Sequence, residues 1–286
     1  MKRLILTLII LIMCFFSNAQ ANDTEAALYN VGFGAVFGTV GAIINKSPDE
    51  HLGKVIKKSL WQGALGGYIT FESKRILREA RRQEQWEYFW MAKLVNAAGT
   101  SIKENAALNK DFYDRWHLNI GFSRLEFNTK DEFSVKYKLM PVAFTYTIGI
   151  ALQTKFELEK TLKTGEFIFS SNTDRFTETN SRGVAFPGNI VVYSPYINDF
   201  KLITHEVIHL YQSNDFSVFN TYFNKPIKAW SSNSKIINWV DKHLYLEFHY
   251  LIQKPIYILE SEPTDSSLYY NNFFEHEAGY FGGTLH

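Results

Sequence analysis

The sequence predicts an α+β protein on three observations. A charge-free run over 26–44 carries Gly32, Gly34, Gly38 and Gly41, most of them three or four residues apart, the spacing of one helix face. Over 117–193 apolar residues alternate, the spacing of strands. From Phe200 onward the three-and-four spacing returns, around His205-Glu206-Val207-Ile208-His209. The expected order is a helical region over 22–110, a middle antiparallel sheet, and C-terminal helices that share one unit with the sheet over 111–286.

Residues 1–21 read as a signal peptide rather than as structure. Lys2 and Arg3 precede an apolar stretch over 4–16, and Ser17-Asn18-Ala19-Gln20-Ala21 ends in the small-x-small pattern of a cleavage site after Ala21 or Ala19. Export to the periplasm or cell envelope is expected. Cys14 is the only cysteine, so the mature chain has no disulfide and relies on its core. Its formal charge of +1 falls by two when Lys2 and Arg3 leave. Nothing in this balance points to nucleic acid.

The run over 26–44 ends at Lys46-Ser47-Pro48-Asp49, and a second glycine-bearing apolar run follows over 59–71. Glycine destabilises a helix interior, but glycines on one face let a second backbone approach closely. The pair reads as a glycine-rich helical hairpin, with membrane insertion or association of 26–71 as the second reading. Residues 72–107 read as a long amphipathic helix or two. Lys74, Arg75, Arg78, Arg81 and Arg82, interleaved with Glu79, Glu84 and Glu87, are expected on a solvated face laced with ion pairs.

In the middle region Leu118, Ile120 and Phe122 alternate, then Leu125 and Phe127 resume after a phase shift at Ser123-Arg124. Segments 133–140, 142–152, 166–170 and 188–193 are rich in β-branched and aromatic residues, with turn signals between them. Five to seven antiparallel strands are expected, with 183–193 as the edge beside the following helix. His117 is expected to be a strand residue, exposed or hydrogen-bonded in place, and not a ligand.

On a helix, His205 and His209 lie on one face and can reach the same zinc ion, while Glu206, one step round, can take a proton from water beside it. Phe200, Ile203, Val207 and Leu210 form the apolar stripe, and Asn198 or Asp199 can cap the start. A catalytic zinc site needs a third protein ligand. No histidine occurs over 213–225, which argues against the metzincin pattern. The later candidates are His243, Glu247, His249, Glu260, Glu262, Glu275, His276, Glu277 and His286.

His205-Glu206-Val207-Ile208-His209 followed by Glu275-His276-Glu277-Ala278 resembles the gluzincin type of zinc metallopeptidase, as in membrane prenyl proteases and bacterial phage-immunity peptidases. The resemblance implies zincin-like C-terminal helices, Zn2+ as cofactor, and a peptide or protein substrate. It makes His205, His209 and Glu275 the metal ligands and Glu206 the general base, with small Ala278 letting two helices approach; Glu277 is the rival of Glu275, and Glu260 and Glu262 are the further alternatives. The family often carries Asp or Asn where this chain has Gly279, which leaves the hydrogen bond from that position unassigned. No relative is recognised for 22–197. The competing expectation is a non-catalytic envelope protein with a structural or vestigial zinc site. For oxyanion stabilisation, His276 is the first choice among Tyr211, Tyr269, Tyr270 and Tyr280.

Overall fold

A computed structural model describes residues 22–130, 132–173, 181–260, 270 and 272–285. The expected signal peptide at 1–21 lies outside the described residues. The chain opens with helices α1 (Asp23–Asn45), α2 (Leu52–Gln83) and α3 (Glu87–Ala107). Asn22 caps α1, its side chain accepting from Thr24 N and Glu25 N. The hairpin forms as its glycines require. A methyl group at Gly34 or Gly67 would collide with the carbonyl of Gly63 or Asn30 on the facing helix, so α1 and α2 pack backbone to backbone. By length and composition α1 can cross a membrane, and 39% of its most apolar window is buried inside the protein.

One expectation for α2 is corrected. Arg75 and Arg82 form exposed pairs with Glu72 and Glu79 one turn away, but Lys74 is 0% exposed and Arg78 is buried. Lys74 Nζ donates to Asp215 Oδ2 at 2.8 Å, Glu277 Oε1 at 2.9 Å and Asn30 Oδ1 at 3.1 Å. Sequence spacing marks which face of a helix is charged. It does not mark whether carboxylates wait on the far side to make burial tolerable.

Strands β1 (Arg115–Ile120), β2 (Ser123–Asn128) and β3 (Ser134–Leu139) form an antiparallel sheet. The phase shift is the turn between β1 and β2, where Gly121 adopts φ +55°. His117 is a strand residue hydrogen-bonded in place, and it is buried rather than exposed, its ring bonded to Thr100 and Ser101. Helix α4 (Pro141–Ala151) follows, then β4 (Lys155–Phe156), α5 (Leu158–Thr164), β5 (Phe167–Ser171), β6 (Gly183–Phe186) and β7 (Asn189–Tyr193). The second sheet has the order β4-β5-β7-β6. Its β5–β7 pair is parallel, so the middle region is not antiparallel throughout.

Segment 142–152, expected as strand, is helix α4. Pro141 presets the first turn, and Glu247 accepts from Val142 N at 2.6 Å and from Ala143 N at 3.3 Å. A carboxylate on the first turn's free N–H groups outweighs the β preference of the β-branched residues.

The remaining helices are α6 (Phe200–Asp215), α7 (Asn224–Ser231), α8 (Lys235–His243), α9 (Tyr250–Glu260) and α10 (Phe273–Gly282). One face of the second sheet, with Ile168, Ile190 and Val192, packs on Ile203, Val207 and Leu210 of α6. Phe71 and Leu77 of α2 and Phe281 of α10 complete this core. An aromatic core of Phe33, Phe37, Phe216, Phe219, Phe273 and Phe274 ties α1 to the far end of α6 and to α10.

Candidate metal centre

Asp199 starts α6, its carboxylate accepting from Lys201 N at 2.8 Å and Leu202 N at 3.2 Å. The buried stripe Ile203, Val207 and Leu210 fixes the rotation of the helix and so turns His205, Glu206 and His209 toward a cleft and toward α10. Helix α10 can come close because its contact residues are small. Ala278 is fully buried, and a methyl group at Gly282 would lie 2.9 Å from His205 Cβ.

That approach brings Glu275 onto the paired imidazoles. His205 Nε2 and His209 Nε2 are 3.1 Å apart, and Glu275 Oε2 lies 3.3 Å from each. Bonds of ~2.0–2.1 Å at tetrahedral angles put zinc ligand atoms ~3.3 Å apart. The triangle matches that edge, so this buried group can hold a metal ion. Glu277, the rival, faces away and bonds to Lys74 and Gln212. The Glu260 side chain and Glu262 lie outside the described residues.

Each ligand is held from behind. His209 Nδ1 lies 2.8 Å from Gln212 Oε1, while Gln212 Nε2 donates to Phe274 O at 2.8 Å and to Glu277 Oε2 at 2.9 Å. With its amide nitrogen committed to two acceptors, Gln212 turns its oxygen to the ring. Gln212 therefore fixes a proton on His209 Nδ1 and points Nε2 into the triangle. Glu277 is bonded in turn to Lys74, so a chain of contacts runs from α2 to the imidazole. His205 Nδ1 lies 3.0 Å from Thr284 Oγ1. Tyr257 OH donates to Glu275 Oε1 at 2.7 Å, which leaves Oε2 for the triangle.

The charges follow. Burial alone would raise the Glu275 pKa, but His209 and His205 hold it well below the usual carboxylate range. Burial alone would lower the His209 pKa, and Glu275 brings it up to about 9. Glu206 stands apart from the triangle, and burial pushes its pKa up against the opposing pull of His205 and His209.

Glu206, His209 and Glu275 line a cleft of about 380 Å³. Its other walls are β6, the edge strand of its sheet, and Tyr250, Gln253, Lys254 and Tyr257 of α9. Of the expected edge 183–193, β6 is at the edge while β7 lies inside the sheet between β5 and β6; β6 approaches closely, since a methyl group at Gly183 would lie 2.7 Å from Glu206 Oε1. The oxyanion candidates fare differently. Tyr211 is buried in the core, Tyr280 bonds Asp23 and Tyr270 bonds Thr284 O. His276 is not among the residues lining the cleft, and Tyr269 lies outside the described residues.

Sequence reasoning missed Gln212, Thr284, Tyr257 and Lys74. Only Gln212, three residues past His209 on the same helix face, carried a signal. No protein-family model matches the chain, and neither curated proteins nor solved structures give a match.

Proposed function

We propose that the protein is an exported zinc-dependent peptidase. The observation that carries this reading is the triangle of His205, His209 and Glu275 with a separate carboxylate, Glu206, at the floor of an open cleft. Two imidazoles and one carboxylate at a tetrahedral edge suit zinc. When bound, the ion supplies Lewis acidity, acidifying water and drawing charge from a carbonyl oxygen. Glu206 faces the cleft beside β6, where it takes the proton of the attacking water and returns it to the departing amine. Among the described residues no strand pairs with the outer edge of β6, so that edge offers main-chain groups to an extended peptide, laying its backbone past Glu206. Export is supported by the apolar segment 1–21 and its charged start.

The alternative, a non-catalytic envelope protein with a structural metal, calls for a site closed by four protein ligands. The cleft beside the triangle favours the catalytic reading. The test compares zinc-loaded wild type with Glu206→Gln in a casein and peptide digest, with zinc content measured on both. The variant is expected to keep its zinc and lose cleavage. Cleavage at the wild-type rate would refute the role given to Glu206.

A further inference from the structure

Strand β6 divides two cavities. Its residues alternate between faces. Gly183 and Ala185 turn toward α6, Gly183 against Glu206 and Ala185 against the core that contains Val207. Val184 and Phe186 turn to the opposite face, packing with Phe169 and Val191. On that face, between the sheet and α4, lies a cavity of about 580 Å³ whose walls include Tyr146, Gly149, Ile150, Val184, Phe186 and Val191. Among the described residues no charged side chain lines it, although Thr145, Gln153, Thr154 and Ser171 stand beside the apolar ones, whereas the cleft contains Glu206, Lys254 and Glu275. The two spaces adjoin, since Tyr146, Ser181, Val184 and Phe186 border both.

The main chain supplies the register. Tyr193 N donates to Arg182 O at 2.8 Å, which makes that pair a hydrogen-bonded one. By antiparallel alternation, Gly183 and Ala185 then turn their N–H and C=O groups to the outer side of β6, where among the described residues no strand pairs with it and Ser181 Oγ donates to Gly183 O at 2.8 Å. A strand added there shares the alternation. Its side chains opposite Gly183 and Ala185 lie on the metal face, and the intervening ones point to the apolar cavity.

We infer that this cavity is the specificity pocket of the cleft, taking a large apolar side chain, aromatic or branched aliphatic, of an extended peptide. The inference rests on the peptidase reading for its occupant. The volume is within the usual size of ligand pockets, and burying one Phe or Leu side chain there is expected to favour its peptide about tenfold or more over alanine.

Gly149 provides the test. It borders the cavity but not the cleft, and a side chain added to it meets open space. Gly149→Phe therefore fills the pocket from the wall of α4 while leaving the metal ligands untouched. The probes are blocked alanine-rich hexapeptides carrying one Phe, one Leu or one Asp, with the all-alanine peptide as reference. Binding is titrated on zinc-loaded Glu206→Gln protein with and without Gly149→Phe, and cleavage is followed with Glu206 present. The Phe and Leu peptides are expected to bind and react at least about tenfold better than the alanine and Asp peptides, and Gly149→Phe to bring that ratio near one at unchanged zinc content. A preference that survives Gly149→Phe, or one that favours Asp, would overturn the pocket assignment. Preferential binding lost in Gly149→Phe without any cleavage would uphold the pocket and overturn the peptidase reading instead.

Discussion

Replacing Gln212 with leucine isolates what the chain of contacts behind His209 contributes. The side chain is buried, accepts from His209 Nδ1, and donates to Phe274 O and Glu277 Oε2. Leucine keeps the apolar bulk and removes all three contacts. The imidazole then loses the group that fixes its tautomer and ring plane, and loss of such a partner typically weakens metal binding about 10- to 100-fold. That is roughly 1.4–2.7 kcal/mol of binding free energy. Stability drops separately, by about 1–3 kcal/mol, because the Phe274 carbonyl and one Glu277 oxygen are left short of a donor. The assay titrates metal-free protein with zinc against a competing chelator, with urea unfolding of the metal-free protein in parallel. Gln212→Glu separates the two effects. It restores an acceptor for His209 but sets a second carboxylate against Glu277, so it should recover affinity better than stability. If Gln212→Leu binds zinc within about twofold of wild type while folded, the positioning role is wrong.

Three further outcomes are expected. Lys74→Met should destabilise the protein by about 3–5 kcal/mol in urea unfolding, because Glu277 and Asp215 lose a buried cation; a loss below about 1 kcal/mol would show that water reaches the cluster. Gly67→Val, on the α1–α2 contact, should cost at least about 2 kcal/mol, since it meets backbone that cannot turn aside; a neutral result would mean that the helices can part. His117 governs an acid limb. Burial, reinforced by the charge of Arg124, pushes its pKa down to about 3, against about 6.5 in the unfolded chain. Between those values the unfolded state binds more protons, so the contribution of neutral His117 is complete above pH ~6.5 and shrinks by about 1.4 kcal/mol per unit as pH falls. Urea unfolding at pH 6.5 and pH 5 should therefore show wild type losing about 2 kcal/mol more than His117→Gln, and equal losses would refute the neutral buried ring.

The HExxH segment was legible because local rules agree there. A capping Asp199, a stripe at 203, 207 and 210, and two histidines four apart all specify one helix with one metal face. Glu275 was legible through its resemblance and through the small residues that follow it. Where the outcome depends on partners far along the chain, spacing is mute. Glu247, more than a hundred residues away, makes 142–152 a helix, and Asp215 and Glu277 make Lys74 a core residue. Thr284 and Tyr257 gave no local sign of their contacts to His205 and Glu275. The parallel β5–β7 pairing was equally hidden, because alternation marks a strand's faces and not the direction of its neighbour.

The most direct test is elemental analysis of zinc in purified wild type, Glu275→Gln and Glu277→Gln, each confirmed as folded. The two acids sit two residues apart on α10, and only one of them completes the triangle. The account predicts about one zinc per chain in wild type and in Glu277→Gln, and almost none in Glu275→Gln. Full zinc content in Glu275→Gln, or loss of zinc confined to Glu277→Gln, would contradict it.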